Sequence, residues 1–324
     1  MEHIYDMIVI GGGPAGYTAA LYGSRAGLDT LVLEKQSAGG QMAITNRVDN
    51  YPGFPEGIDG YRLGQSMEQG ARRSGAKTEY AEVTAVRLAG AVKEVDTGAG
   101  TFRARTVVLA TGAEPRELGL PGEGALVGRG LHYCAACDGM FYRGKTVVVV
   151  GGGNTAAADA LMLSRLAQRV ILVHRRDSLR AAKIYHQPLK SAANVELRWN
   201  TVLTELVCGD KLTGVGLRNV LTGEESRLAC HGVFVSIGRR PATELVRGQL
   251  VLDEGGYVMT DESTRTNVPG VFAPGDVRTK ALRQIVTAVA DGAMAAQGAE
   301  EYLAARDGAP SPQAKNLLKD FPLK

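Results

Sequence analysis

Met7-Ile8-Val9-Ile10-Gly11-Gly12-Gly13-Pro14-Ala15-Gly16, then an alanine-rich helical stretch, then Thr30-Leu31-Val32-Leu33-Glu34, is the stretch that decides the fold. It reads as an apolar strand, a glycine turn, a helix and a second apolar strand. The pattern returns mid-chain as Thr146 to Val150, Gly151-Gly152-Gly153-Asn154-Thr155-Ala156, a helical stretch, and Val170-Ile171-Leu172-Val173-His174. Strands apolar throughout belong to a parallel sheet covered on both faces. In each turn the first glycine bends the chain and the second lets backbone approach a pyrophosphate. The third position must be small for helix–strand packing. The helix N-terminus then binds the phosphates. The chain is therefore expected to be α/β, with two Rossmann-like dinucleotide-binding domains. Its first candidate contacts are Gly11, Gly13, Pro14, Ala15 and Gly16 in one copy, and Gly151, Gly153, Asn154 and Thr155 in the other.

A second repeat supports the first. Val107-Val108-Leu109-Ala110-Thr111-Gly112-Ala113-Glu114-Pro115 and Val233-Phe234-Val235-Ser236-Ile237-Gly238-Arg239-Arg240-Pro241 each read as a buried strand, a glycine turn and a proline. Thr111 and Gly112 thus join the dinucleotide candidates. Polar alternating stretches at 90–101 and 209–227 read as hairpin or meander strands.

Composition agrees. Glycine supplies 42 of 324 residues, about 13% against an ordinary ~7%, so backbone approaching a ligand or many tight turns are expected. The length suggests two domains of about 150 residues each. Lys+Arg 37 minus Asp+Glu 34 gives +3, too balanced for a nucleic-acid or anionic-membrane binder on bulk charge. Apolar runs such as Thr146 to Val150 are far too short to span a membrane. Met1 to Asp6 shows no basic region followed by an apolar run, so no secretory signal and a cytoplasmic location are expected.

The two dinucleotide sites differ where the second strand ends, beside the adenosine ribose. Glu34 stands 23 residues after Gly11, and His174 stands 23 after Gly151. An acid there accepts hydrogen bonds from ribose hydroxyls. His174 is followed instead by Arg175, Arg176 and Arg180, and guanidinium groups bind a 2′-phosphate that a carboxylate would repel. The first site suits FAD or NAD and the second suits NADPH. At roughly 1.5–3 kcal/mol per charge-assisted bond, two arginines would favour NADPH over NADH by about two to four orders of magnitude.

Cys134-Ala135-Ala136-Cys137 precedes the second unit. Zinc would need two more ligands; Cys208 and Cys230 lie far apart, and the five histidines form no HxxxH. No metal site is expected. The spacing fits a redox dithiol, whose thiolate is accessible near neutral pH. Asp138 follows directly and can exchange a proton with a leaving thiolate. Cys208 and Cys230 sit in strand-like segments and are expected to be buried or incidental. FAD, NADPH and a CxxC together describe an electron path: hydride from NADPH to flavin, two electrons to the disulfide, and exchange with an external disulfide.

At this point the sequence resembles the low-molecular-weight thioredoxin reductases of bacteria, along nearly its whole length. The matching pieces are GGGPAG (11–16), GGQ (39–41), NYPGF (50–54), ATGAEPR (110–116), CAACDG (134–139), GGGNTA (151–156), HRRDSLRA (174–181), FAPGDV (272–277) and LRQ (282–284). The resemblance implies a homodimer whose NADPH domain (117–246) is inserted into an FAD domain (1–116 and 247–324). It implies FAD contacts from Glu34, Lys35, Gly40, Gln41, Asn50, Gly275, Asp276, Arg283, Gln284 and Ile285. It implies NADPH contacts from His174, Arg175, Arg176 and Arg180, and catalytic roles for Cys134, Cys137 and Asp138. Cys137 is implied to lie nearer the flavin, in an NADPH domain that swivels. Thioredoxin is the implied partner, docking near Arg129, Met140 and Phe141.

Four departures from the family pattern stand out. The segment after GGGNTA reads Ala157-Ala158-Asp159 where glutamates are usual. Leu179 and Met140 replace aromatic residues. Leu282 stands where tyrosine is common. Reduction of another disulfide partner is an alternative, as is supply by ferredoxin, although a ferredoxin-fed relative should lack the arginines. The flavin subunit of a peroxide-reducing system would carry a further N-terminal dithiol domain. A non-enzymatic flavin redox sensor would not turn over NADPH against a disulfide.

Overall fold

The computed structural model describes residues 3–45 and 47–308; the outer ends of the expected FAD domain lie outside them. From the N-terminus the chain forms β1 (Ile4–Ile10), α1 (Pro14–Arg25), β2 (Thr30–Glu34), α2 (Gly60–Arg73), β3 (Lys77–Tyr80), β4 (Val83–Arg87), β5 (Lys93–Thr97), β6 (Gly100–Leu109) and β7 (Ala113–Pro115). The middle of the chain forms α3 (Glu123–Leu126), β8 (Leu131–His132), α4 (Ala135–Asp138), β9 (Thr146–Val150), α5 (Asn154–Ser164), β10 (Arg169–Val173), α6 (His186–Ser191) and β11 (Val195–Arg198). It continues through β12 (Thr201–Cys208), β13 (Leu212–Asn219), β14 (Glu225–Ala229), β15 (Gly232–Val235) and β16 (Arg239–Pro241). The chain closes with β17 (Val271–Phe272) and α7 (Ile285–Arg306).

Two compact units result, one from residues 1–114 and 241–324, the other from 115–240. The sequence reading cuts at 116/117 and 246/247. Residues 241–246 fall in the first unit, where Val246 is fully buried in the core.

In the first unit β3, β2, β1 and β6 lie side by side in parallel, and β17 pairs with β6. In the second, the parallel order is β11, β10, β9, β15, β8. The two orders correspond strand for strand, so the repeat in the sequence is a repeat in topology. The fifth strand comes from the chain's return in one unit (β17) and from its entry in the other (β8). Ile10 pairs with Leu109 as Val150 pairs with Val235, so the second sequence repeat is the neighbour strand of the first. The alternating stretches form meanders: β4, β5 and β6 in the first unit, β12, β13 and β14 in the second.

Strand period two divides each core. Met7, Val9 and Val32 face the alanines of α1 and α7, while Ile8, Ile10, Leu31 and Leu33 face Leu88, Val95 and Val258. In the second unit Val147, Val149 and Leu172 face α5, and Val148, Val150 and Ile171 face Leu203, Leu206 and Val215 of the antiparallel sheet. Both faces are covered, which is why the strands are apolar throughout.

The remaining cysteines are expected to be buried or incidental. Cys230 is buried, but Cys208 is exposed. It ends β12, next to a register shift between Val207 and Cys208. Among the described residues no helix is long and apolar enough to cross a membrane, and no group of three or more His, Cys, Asp or Glu could hold a metal ion.

Candidate functional site

In the first unit the glycine turn is fixed by close contacts. Gly11 has φ +103°, and a Cβ there would lie 2.5 Å from the Ala110 carbonyl oxygen. A Cβ on Gly16 would lie 1.9 Å from the Gly11 carbonyl oxygen. A Cβ on Gly13 would meet nothing within 4 Å. Two glycines are thus demanded by the protein's own packing, and the third opens toward space that a ligand can use. Gly13 is also the N-cap of α1, with Pro14 opening the helix and no side chain capping it. The first N–H groups of α1 remain for an anion. Buried Glu34 accepts from Gly12 N (2.6 Å) and Gln36 N (3.0 Å), which aims a fixed carboxylate at the end of β2. With about four acceptor sites on a carboxylate, it retains capacity for ribose hydroxyls.

Other expected FAD residues converge on this turn. Gly39 N donates to the Gly12 carbonyl at 2.8 Å, and a Cβ on Gly40 would lie 3.4 Å from Gly13 Cα. Exposed Gln41 follows in the same short helical turn. A Cβ on Gly275 would lie 2.9 Å from Ala15 Cβ, so the Gly275-Asp276 turn rests on the start of α1. Asn50 Nδ2 donates to Gln284 Oε1 at 3.0 Å, and Gln284 caps α7 just before Ile285. Thr111 is tied to the Ala242 carbonyl at 2.7 Å, and a Cβ on Gly112 would meet nothing. Two residues point elsewhere. Lys35 is exposed and pairs with Glu82 at 2.8 Å. Arg283 donates to the Arg278 and Lys280 carbonyls (3.1 and 3.3 Å) and stacks on Tyr257 at 4.1 Å.

The second turn repeats the design with different chemistry. Gly151 would place a Cβ 2.4 Å from the Ser236 carbonyl oxygen and 2.8 Å from Ala156 Cβ, while Gly153 faces open space. Gly153 caps α5 without a side chain. Where Glu34 reaches the first turn, the buried His174 ring fills the place beside Gly152, whose Cβ would lie 2.2 Å from the imidazole. His174 Nε2 is buried without a hydrogen-bond partner, an orphaned atom that a ligand oxygen would complete. Burial, then Arg180, Arg176 and Arg175, push its pKa down. Those three arginines are exposed. Arg180 N donates to the Gly152 carbonyl at 2.7 Å, which folds the basic segment onto the turn. Thr155 is exposed on the first turn of α5. Asn154 Oδ1 accepts from Ala182 N at 2.7 Å. Asp159 accepts from Ser236 Oγ at 2.6 Å, and burial raises its carboxyl. Ala158 beside it is exposed.

The cysteines form a Cys134–Cys137 disulfide with Cα atoms 5.3 Å apart. Cys134 is the N-cap of α4, and its sulfur accepts from Cys137 N at 3.2 Å. Both cysteines are half-buried, whereas Met140 and Phe141 just beyond are 58% and 41% exposed. Arg129 is exposed on the approach to β8.

The sequence reading missed the residues that anchor these turns. Buried Glu123 accepts from Leu118 N and Gly119 N (both 2.8 Å) and from Tyr133 Oη (2.9 Å). Asp138 bonds His132 Nδ1 at 2.9 Å, and His132 Nε2 meets Tyr142 Oη at 2.6 Å. Buried Asp291 of α7 holds Gly275 N, Arg278 and Lys280 at 2.8–2.9 Å. Only a CxxC flank (His132, Tyr142) lay near a recognised motif; the other acids carry no spacing signal.

The family described as pyridine nucleotide-disulphide oxidoreductase matches residues 5–292. Thioredoxin reductases are similar along almost the full chain. That of Listeria monocytogenes is 46% identical, over 93% of this chain and 95% of its own. That of Mycolicibacterium smegmatis is 47% identical, over 94% and 99%. The solved thioredoxin reductase of Streptococcus pyogenes superposes with a TM-score of 0.89 at 41% identity, covering 94% of this chain and all of that one. Likeness of this extent, around a turn pair and a disulfide already built for the chemistry, means that the chain belongs to the pyridine nucleotide-disulphide oxidoreductase family and, within it, to the thioredoxin reductases.

Proposed function

We propose that the chain reduces thioredoxin through Cys134 and Cys137, with FAD held by the 1–114/241–324 unit and NADPH by the 115–240 unit. FAD and NADPH are the cofactors of this family, and flavin supplies the two-electron link between nicotinamide and disulfide. The observation that carries the reading is the half-buried Cys134–Cys137 disulfide in the unit whose glycine turn is flanked by Arg175, Arg176 and Arg180.

Each residue has a part. The bare N-termini of α1 and α5 take pyrophosphates. Glu34 takes ribose hydroxyls, and the arginines take a 2′-phosphate. Gly40, Gln41, Asn50, Thr111, Gly112, Asp276, Gln284 and Ile285 complete the flavin side. Asp138 exchanges a proton with the cysteine sulfurs. Exposed Met140 and Phe141, with Arg129, offer thioredoxin an apolar edge beside the disulfide. A homodimer is the assembly that the family pattern implies, with its mass read by light scattering. A dithiol fed by NADPH suits the cytoplasm, where thiols stay reduced.

The test is NADPH oxidation in the presence of thioredoxin. The expected result is turnover with NADPH far faster than with NADH. Equal rates with the two would remove the arginine assignment.

A further inference from the structure

Behind Asp138, on the side of α4 away from solvent, stand two polar side chains to which thioredoxin reduction has so far given no part, His132 and Tyr142. His132 of β8 is only 6% exposed, and Tyr142 only 7%. Asp138 Oδ2 lies 2.9 Å from His132 Nδ1, and His132 Nε2 lies 2.6 Å from Tyr142 Oη. The ring is clamped. It stacks on Phe234 with centroids 5.2 Å apart and 26° between planes, and Tyr142 meets both rings edge-on. Gly232 makes the place for Tyr142, since a Cβ there would lie 2.4 Å from the phenol ring.

A singly protonated imidazole has one donor and one acceptor, and a tyrosine hydroxyl is either. The chain can therefore be hydrogen-bonded in two ways without moving a heavy atom. With Asp138 ionised, Nδ1–H donates to the carboxylate and Tyr142 donates to Nε2. With Asp138 protonated, its O–H donates to Nδ1 and Nε2–H donates to Tyr142 Oη. The two states differ by one proton and by the imidazole tautomer. Each heavy atom of the chain keeps its neighbour in both states, and in the second the Tyr142 O–H turns away from Nε2.

We propose that His132 is a positioning residue that switches tautomer with the redox state of Cys134–Cys137, so that Asp138 holds a proton beside the dithiol and has lost it beside the disulfide. The proposal rests on Asp138 being the acid of the exchange. The reduced site begins as one thiolate, one thiol and protonated Asp138. The thiolate attacks thioredoxin's disulfide; a mixed disulfide forms, thioredoxin's S–S bond breaks, and the freed sulfur takes the proton of Asp138. The second cysteine then passes its thiol proton to Asp138 and attacks the mixed disulfide. Cys134–Cys137 closes, and the second thioredoxin sulfur leaves with that proton. Two electrons and two protons have passed to thioredoxin, and Asp138 ends ionised.

The groups facing this chain are few. Cys134 and Cys137 share its element. Lys145 Nζ lies 5.4 Å over the Tyr142 ring, and Cys230 faces Tyr142 from the end of β14. The α5 side chains against Gly139, Met162 and Leu163, are apolar. Burial, Asp138 and Cys230 push the Tyr142 hydroxyl up to about 12, so Tyr142 keeps its proton in both states.

The test uses holoenzyme labelled with 15N-histidine, which has five histidines to resolve. Reduction with dithiothreitol should convert one histidine from the Nδ1–H to the Nε2–H form, and His132→Phe should delete that signal. A His132 signal with one tautomer in both redox states overturns the proposal. Kinetics separate it from the reading beneath it. Asp138→Asn should slow thioredoxin reduction about 100-fold while NADPH still bleaches the flavin; full activity in that variant removes the acid role itself. With that role intact, His132→Phe should slow the native enzyme about tenfold and shift the acid limb of its pH profile, yet add nothing to Asp138→Asn. Losses that multiply in the double variant overturn the proposal alone. Tyr142→Phe, which keeps the ring packing, should reproduce the pH shift and serves if His132→Phe does not fold.

Discussion

At the residue scale the two dinucleotide sites are told apart by what stands at the end of the second strand. Glu34 closes the first turn through the Gly12 N–H, so Glu34→Ala leaves a buried donor unpaired and removes the ribose acceptor. The expected outcome is a loss of about 1–3 kcal/mol in stability and protein that purifies with less flavin, read from Tm and from the ratio of flavin to protein absorbance. On the second site the prediction has the opposite character, because the arginines are exposed. Arg175→Ala with Arg176→Ala should raise KM for NADPH by about 10–100-fold, leave NADH nearly unchanged and leave the unfolding free energy within about 0.5 kcal/mol of the parent. A matching rise for both nucleotides in steady-state assays would argue against recognition of the 2′-phosphate.

At the scale of elements, the glycines of one turn do different work, and substitution separates them. Gly16→Ala drives a methyl into the Gly11 carbonyl, 1.9 Å away, and should cost about 3 kcal/mol or more in stability. Gly13→Ala meets no protein atom within 4 Å, and φ there is −79°, so the apoprotein should melt near the parent temperature. Flavin affinity should instead fall by about 3 kcal/mol, on the order of 100-fold, because the methyl enters the pyrophosphate's space. Calorimetry of apoprotein together with flavin titration distinguishes the two. The strand–turn–helix units were legible because their chemistry is local: apolar runs, glycines at fixed offsets and a small residue at the third position. The buried acids were not. Asp291 acts on Gly275, sixteen residues earlier, and Glu123 on Tyr133, ten residues later, across folds that no periodicity announces. Lys35 directly follows Glu34, but that place in the sequence did not show that it pairs with Glu82.

At the scale of the whole molecule, buried ionisable groups set the pH range in which the fold holds. Burial pushes the Cys230 thiol up to about 12 from 9.0, and the Tyr142 hydroxyl up to about 12 from 10.0. Both folded values are raised, so their contribution to stability is complete below about pH 9 and is lost as pH rises toward 12. For Asp291, burial opposes ionisation, but the bonds from Arg278, Lys280 and Gly275 N outweigh it and hold the carboxyl below its usual range. That contribution is present above the ordinary carboxylate pKa and is lost as pH falls through the depressed value. Tm against pH should therefore fall on both sides, and Cys230→Ala should flatten the alkaline limb but not the acid one. Native Cys230 should resist a thiol reagent at pH 8 while exposed Cys208 reacts.

The central claim is that electrons leave the protein through Cys134–Cys137. It is tested most directly by rapid mixing of Cys137→Ser holoenzyme with NADPH and thioredoxin. Flavin should bleach at close to the parent rate while no thioredoxin thiol appears. Continued reduction of thioredoxin by that variant would contradict the account.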